Sequence, residues 1–303
     1  MKRGRFITIG SFDGIHLGHQ ALIERTVLEA KKRGYKTLAL SFRTPPRMVL
    51  NPTSKLALLS TEKEKEQLFK KFGIDDVHFL DFDHDISQMK GFYFFKKVLL
   101  ERFQAKGIVV GLDFRFGMNR SSGAHELVRW GGEFEIPIWV IPPVKWSKSI
   151  VSSTLVRNLF EENKFIKASH FLGHPYLISG QVKKGEKIGS KIGFPTANIE
   201  VSKGKILPLG VYVVKGKVER SSRSQISSWG ICNIGYKPTV SKSKFPHVEV
   251  HFLKKLPPLY NREISIELLH RLRGEKKFNN LSALQKAIQS DQKRATLWIK
   301  KHQ

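Results

Sequence analysis

Cysteine is nearly absent: Cys232 is the only one in 303 residues. A lone thiol closes no internal disulfide, and the chain is expected in a reducing cytoplasm. Cys232 lies between Ile231 and Asn233 in an apolar run, where a small buried hydrophobe is expected rather than a reactive thiol. Also missing is any run of about 18 apolar residues, so no membrane span is expected. The basic Met1-Lys2-Arg3-Gly4-Arg5 leads into a strand-like run, not an apolar signal core, and no secretory signal is expected. No internal repeat or low-complexity linker is present. Acids are scarce, 26 Asp and Glu against 53 Lys and Arg, a net charge of +27. That field attracts anions: nucleotides, phosphorylated cofactors, nucleic acid or acidic membranes. The bases are dispersed in pairs such as Lys31-Lys32, Lys70-Lys71, Lys183-Lys184 and Lys254-Lys255, which reads as a solvated surface rather than a specific nucleic-acid footprint.

The length suits two domains, each with its own core. In the first half, strand-like runs at Phe6–Ile9, Thr37–Phe42, Val77–Leu80, Gly107–Gly111 and Ile136–Ile141 alternate with helical patterns near 18–33, 61–72, 87–104 and 122–131. This alternation predicts an α/β domain with a parallel sheet. Two more helices are expected near 152–162 and 164–172. Strand-like runs then dominate, at Tyr176–Val182, Gly210–Lys215, Ser228–Ile234, His247–Phe252 and Glu263–Leu269, which reads as an antiparallel barrel or sandwich. A terminal helix over Leu281–Ile299 follows Asn279-Asn280, with Ser282 as one candidate cap. The boundary is placed at Gly173-His174-Pro175, giving domains of 1–174 and 175–303.

Gly10-Ser11-Phe12-Asp13-Gly14-Ile15-His16-Leu17-Gly18-His19 follows the first strand and opens the first helix. Free N–H groups and the helix dipole make such a turn an anion site, and His16 and His19 can reach one phosphate. Gly14 and Gly18 allow close backbone approach. Asp13 suits orienting the loop better than direct chemistry. The string resembles the HxGH signature of nucleotidylyltransferases and, at greater length, the opening of bacterial bifunctional riboflavin kinase/FMN adenylyltransferases.

Two later strings fit that resemblance. Val110-Gly111-Leu112-Asp113-Phe114-Arg115-Phe116-Gly117 resembles the family's VGxDFRFG segment, which implies that Asp113 and Phe114 meet flavin or ribose; plain core packing is the alternative for the two phenylalanines. Ser152-Ser153-Thr154-Leu155-Val156-Arg157 resembles its SSTxIR motif, a helix start whose hydroxyls gather at an anion while Arg157 supplies fixed charge. By the resemblance His16, His19 and Arg157 are catalytic, and Gly10, Phe12, Asp13, Gly14, Gly18, Asp113, Phe114, Ser152, Ser153 and Thr154 bind nucleotide or flavin. The chain departs from the family at Phe42-Arg43-Thr44-Pro45-Pro46, where an acid and a histidine are usual. Asp81-Phe82-Asp83-His84-Asp85 lacks the glycine and distal glutamate of a calcium loop and reads as a solvated turn before a helix.

In the second half, Gly185-Glu186-Lys187-Ile188-Gly189-Ser190-Lys191-Ile192-Gly193-Phe194-Pro195-Thr196-Ala197-Asn198 is similar to the glycine-rich loop and PTAN motif of riboflavin kinases. The resemblance implies that Gly185, Lys187, Gly189, Lys191, Gly193 and Pro195 cradle ATP and that Thr196 and Asn198 give oxygens to Mg²⁺. Glu249, on an alternating strand, stands where the family places its catalytic glutamate, and Asn233 lies in a further matching segment. Lys254-Lys255-Leu256-Pro257-Pro258 replaces the usual acids before Leu259-Tyr260, and His174 stands for an arginine.

The resemblance spans nearly the whole chain. It implies a Rossmann-like nucleotidylyltransferase domain, then a β-barrel riboflavin kinase domain with a terminal helix. The expected activity is ATP-dependent phosphorylation of riboflavin to FMN, then AMP transfer to FMN giving FAD and pyrophosphate. The expected partners are ATP, riboflavin and FMN, with Mg²⁺ as cofactor, no specific nucleic acid, no membrane and at most weak self-association. Two alternatives stand beside it: an adenylyltransferase with a non-catalytic flavin-binding second domain, and a basic protein that binds RNA or membrane surfaces.

Overall fold

The computed structural model describes residues 3–51, 53, 57–185, 188–221, 224–236 and 245–303, with the side chains of 188, 191, 219–221, 224 and 225 left aside. The chain divides into two compact units, Met1–Val156 and Arg157–Gln303.

The first unit is built on five strands: β1 (Arg5–Ile9), β2 (Lys36–Phe42), β3 (Asp76–Leu80), β4 (Ala105–Gly111) and β5 (Ile138–Ile141). Their order is β3-β2-β1-β4-β5, and every neighbouring pair is parallel. A sheet covered on both faces needs continuous apolar strands. Phe6, Ile7 and Ile9 of β1 and Leu38, Ala39 and Leu40 of β2 are accordingly buried. The one polar residue within that run of β1, Thr8, gives its hydroxyl to the Val109 carbonyl at 3.0 Å. The chain leaves β1 for one edge of the sheet and later returns to place β4 on its other side. Such a reversal opens a crevice at the carboxyl ends of β1 and β4.

Helices α1 (Leu17–Arg33), α2 (Glu62–Lys71) and α3 (Ala124–Glu133) lie close to the predicted spans. Gly34, at φ 74°, ends α1, and a reciprocal capping box of Thr61 and Glu64 starts α2. The helix expected over 87–104 is instead three pieces: His84–Gln88, Gly91–Tyr93 and a π-helix over Phe94–Arg102. The break falls at Met89, whose carbonyl takes the Met118 N–H from the neighbouring loop at 2.9 Å.

Helix α4 (Ser153–Glu161) spans the division between the units. In the second unit, α5 (Phe165–Leu172) ends at Gly173, φ 69°. Six strands follow: β6 (Tyr176–Lys183), β7 (Ala197–Val201), β8 (Gly210–Ser221), β9 (Ser224–Gly235), β10 (His247–Phe252) and β11 (Glu263–Arg273). They close a barrel in the order β6-β7-β10-β9-β8-β11, antiparallel throughout. Strand β7 is an addition to the expected strands; it begins inside the PTAN string, at Ala197. Tyr212, Cys232 and Val250 are fully buried and adjacent in register, filling the barrel. Burial pushes the Cys232 thiol up, as a buried small hydrophobe requires. Helix α6 (Leu281–His302) covers the opposite face of β8 and β9, with Ala295 and Ile299 against Val211, Val213 and Ile231. Its cap is Asn280, whose side chain accepts from Ala283 N–H at 2.8 Å, and not Ser282. The Arg273 guanidinium grips the Asp291 carboxylate through Nε and Nη2 at 2.8–3.1 Å and ties α6 to β11. Among the described residues no helix is long and apolar enough to cross a membrane.

Candidate functional site

The loop after β1 turns sharply. Phe12, Gly14 and Ile15 take φ of 48°, 83° and 41°. For Phe12 and Ile15 this is a strained region, costing about 1–3 kcal/mol each. Asp13 holds the loop. Its buried carboxylate accepts the backbone N–H of Leu59 at 3.0 Å and of Ser60 at 2.9 Å. Gly14 N–H donates to Ser60 Oγ at 2.8 Å, and Ser153 Oγ donates to the Asp13 carbonyl at 2.8 Å. Phe12 is sealed against Phe69 of α2, with ring centroids 5.0 Å apart.

His16 caps α1: its Nδ1 accepts from His19 N–H at 3.4 Å. A ring nitrogen that accepts carries no proton, so neutral His16 is the Nε2–H tautomer. The His16 and His19 rings stack at 3.7 Å, 16° apart. Gly18 makes this stack: a Cβ there would lie 3.1 Å from the His16 ring. His19 titrates well below the ordinary histidine range because burial, His16 and Lys65 all oppose its charged form. Its Nδ1 is buried without a hydrogen-bond partner. A stacked, differently tethered pair of imidazoles, His19 being the one held neutral, thus sits at the free N–H end of a 17-residue helix.

Asp113 is exposed on the loop after β4. Phe114 and Phe116 stack at 5.2 Å, with Phe116 in the core beside Trp130 and Phe114 packed against it. Ser152 Oγ accepts from Leu155 N–H at 3.2 Å, Thr154 is exposed, and Arg157 lies further along α4, partly buried. Where the family has its usual acid, Arg43 is clasped by Glu62 at 2.7 Å and Asp81 at 2.9 Å. These two carboxylates hold its guanidinium firmly charged. Asp83 accepts from Ile86 N–H and caps the helix His84–Gln88.

Sequence reasoning missed Ser60, Ser41 and Lys65. Lys65 is 2 % exposed, and its Nζ donates to Ser41 Oγ and the Phe42 carbonyl. A signal was present: Lys65, Leu68 and Phe69 fall at i, i+3 and i+4, on one face of α2.

In the barrel, register places Asn198 of β7 opposite Glu249 of β10, and Glu249 opposite Asn233 of β9. Directly paired residues share a face. The flanking Val248 and Val250 are buried, so this row of three lies on the face away from the barrel filling. Gly185 backs onto the row: a Cβ there would stand 2.3 Å from the Asn198 amide nitrogen. The loop Ile188–Phe194 closes on itself, with Phe194 N–H to Gly189 O at 2.8 Å and Gly193 at φ 85°. Thr196 is half-buried and lies against Gly189. His251 Nδ1 bonds the Pro195 carbonyl at 2.9 Å, and Gln285 of α6 reaches the Ile192 carbonyl at 3.2 Å. Lys187 and the Lys191 side chain lie outside the described residues, as does Lys237–Val240 after Tyr236.

Comparison with known proteins fits this division. Residues 1–155 match the family model for FAD synthetase, and residues 172–299 that for riboflavin kinase. The bifunctional riboflavin kinase/FMN adenylyltransferase of Buchnera aphidicola subsp. Schizaphis graminum is 34% identical over 287 residues, covering 94% of this chain and 91% of that protein. That of Escherichia coli K12 is 32% identical over 291 residues, covering 96% and 91%. A crystal structure of a macrolide-efflux protein from Streptococcus pneumoniae matches with a TM-score of 0.81 at 26% identity, covering 98% of this chain and 95% of that one. With two matching domains in series and relatives aligned over almost their whole length, the chain belongs to the bifunctional riboflavin kinase/FMN adenylyltransferase family.

Proposed function

We propose that two domains, residues 1–174 and 175–303, run consecutive reactions, each with its own residues. Residues 175–303 transfer the γ-phosphate of ATP to a riboflavin hydroxyl, giving FMN and ADP. Residues 1–174 then direct a phosphate oxygen of FMN in line at the α-phosphate of a second ATP, giving FAD and pyrophosphate. This reading takes the boundary at 174, between α5, which ends at Gly173, and β6, which opens at Tyr176; the compact units themselves divide between Val156 and Arg157.

One observation carries the reading: the two groups of candidate residues lie on two distinct scaffolds, a stacked histidine pair at a helix start and an Asn198–Glu249–Asn233 row on a barrel. For adenylyl transfer no protein nucleophile is needed; the protein holds reactants and stabilises charge on phosphoryl oxygens. His16, through Nε2–H, and His19 donate to those oxygens. Arg157 adds a fixed charge. Asp13 and Ser153 act by holding the loop, and Gly10, Phe12, Gly14 and Gly18 give it its shape. Asp113, Phe114, Ser152 and Thr154 contact nucleotide or flavin.

For phosphoryl transfer, Glu249 orients the riboflavin hydroxyl and takes its proton. Gly185, Gly189, Gly193 and Pro195, with Lys187 and Lys191, hold ATP, and Asn233 borders the pocket. Thr196 and Asn198 suit Mg²⁺, a hard ion that takes few protein oxygens and keeps water and phosphate ligands. When bound, the ion neutralises charge on the transferring phosphate. The substrates are anions or become so, which suits a chain of net charge +27 in the cytoplasm, with no specific nucleic acid and at most weak self-association.

Chromatography of products tests this. Riboflavin, ATP and Mg²⁺ should give FMN and then FAD; FMN in place of riboflavin should give FAD. The replacement of acids by Lys254 and Lys255 favours one other reading, a second domain that binds flavin without catalysis. FAD from FMN, with no FMN from saturating riboflavin, would establish that alternative.

A further inference from the structure

Beneath the first loop lies a cation that the mechanism above does not use. Lys65 is buried to 2 % exposure on α2. Its ammonium donates to Ser41 Oγ at 3.3 Å and to the Phe42 carbonyl at 3.2 Å, at the carboxyl end of β2. Ser41 Oγ in turn donates to the Ser11 carbonyl at 3.2 Å, inside the glycine-rich loop. One turn further along α2, Phe69 packs on Phe12, which itself lies 5.1 Å from the His19 ring. A buried ammonium is costly unless paired. Here Asp13 and Glu62 offset part of that cost, and burial still pulls the Lys65 pKa down. A cap, a hydroxyl or an apolar side chain would fill this position more cheaply, so the charge calls for a use.

We propose that Lys65 is a positioning residue for adenylyl transfer: through Ser41 it anchors the loop at Ser11, and its charge sets the field in which His19 meets the phosphates. The inference rests on the reading of the first unit as an adenylyltransferase. The titratable groups bearing on His19 are His16, at the cap of its own helix, and Lys65, from α2; Asp13 and Glu62 bear on Lys65. Burial is the first reason that His19 stays uncharged and His16 the second; the Lys65 charge adds to both, so His19 offers a hydrogen bond without a buried second charge. A relay of ammonium, hydroxyl and carbonyl is also polarised along its length, which stiffens the loop.

The test compares K65M, which keeps length but not charge, with K65R, which keeps charge. Three readouts are taken on the full chain: His19 titration by NMR, the pH profile of kcat/KM for FAD formation, and FMN formation from riboflavin. In K65M the His19 pKa should rise in part, with burial and His16 still holding it down, and the acid limb of the profile should move to higher pH. FAD formation should fall roughly tenfold or more, and FMN formation should hold. K65R should restore the His19 titration and the profile. An unchanged His19 titration in folded K65M overturns the inference even if FAD formation falls, because a packing role alone predicts that result. If K65M does not fold, K65Q takes its place, removing the charge while keeping a donor for Ser41; His19 should shift in the same direction, and an unmoved His19 overturns the proposal. Absence of FAD formation by the unaltered protein would count against the adenylyltransferase reading, whereas FAD formation with an unmoved His19 counts against the Lys65 inference alone.

Discussion

The Ser153 hydroxyl donates to the Asp13 carbonyl at 2.8 Å across 140 residues of sequence. This bond fastens the start of α4 to a loop with two strained non-glycine residues, Phe12 and Ile15. Asp13 spends its carboxylate on Leu59 and Ser60, so the same residue is gripped from two sides. S153A removes one grip, a loss of about 1 kcal/mol. The loop then samples other geometries, and misplacement of reacting groups is expensive in rate. FAD formation from FMN should drop roughly tenfold, while FMN formation from riboflavin stays level. Initial rates of both steps on one preparation check this; an equal loss in both steps would point to general destabilisation.

Replacing His16 and His19 together by alanine removes the donors at the α1 start but leaves the barrel row intact. FAD formation should fall by about a hundredfold or more, and FMN should accumulate from riboflavin. Product ratios at fixed time decide it: a mutant that stops at riboflavin contradicts two independent sites.

E249Q gives the mirror image. The amide keeps the shape of the row between Asn198 and Asn233 but cannot take a proton. FMN formation should be abolished, and FMN supplied directly should still become FAD. Retained riboflavin phosphorylation in this variant would remove Glu249 from the chemistry.

Much of this was legible from residue types alone, and the reasons for the rest are local. The alternation of Phe6–Ile9, Thr37–Phe42 and Gly107–Gly111 with amphipathic stretches marks a parallel sheet, because buried strands must be apolar on both faces. His247–Phe252 was legible to its ends because Val248 and Val250 are buried while Glu249 is less so. Lys65 was hidden because Thr61-Glu62-Lys63-Glu64-Lys65-Glu66 looks like a solvated charge run. The cap at Thr61 and the apolar Leu68 and Phe69 that follow set the phase of α2 and turn that one lysine inward. The break at Met89 was invisible for a different reason: it depends on a hydrogen bond to Met118, which no local pattern announces.

Gly185 is a sharper probe of the second site than any charged residue. Its backbone runs so close to Asn198 that a methyl group would sit 2.3 Å from the amide nitrogen. G185A must therefore displace Asn198 or the loop. If Asn198 holds Mg²⁺, the Mg²⁺ concentration for half-maximal FMN formation should rise in G185A while FAD formation from FMN keeps its wild-type dependence. Titrating the ion against both steps measures this; an unshifted requirement would take Asn198 out of the metal shell.

The Arg273–Asp291 pair has a structural rather than chemical consequence. Both side chains are largely buried, 17% and 5% exposed, and the contact is bidentate between β11 and α6. Burying two charges is costly, and their attraction offsets that cost only while both are present. D291A leaves the Arg273 guanidinium without its carboxylate, with Gly274 O at 3.1 Å as its remaining acceptor. The second unit should lose about 3 kcal/mol of stability. Helix α6 also supplies the Gln285 contact to the loop at Ile192, so its loosening reaches the Ile188–Phe194 loop. In thermal unfolding of the full chain the transition belonging to the barrel should move down while the other is unmoved. FMN formation should become heat-labile before FAD formation does. A pair worth nothing would leave both transitions in place.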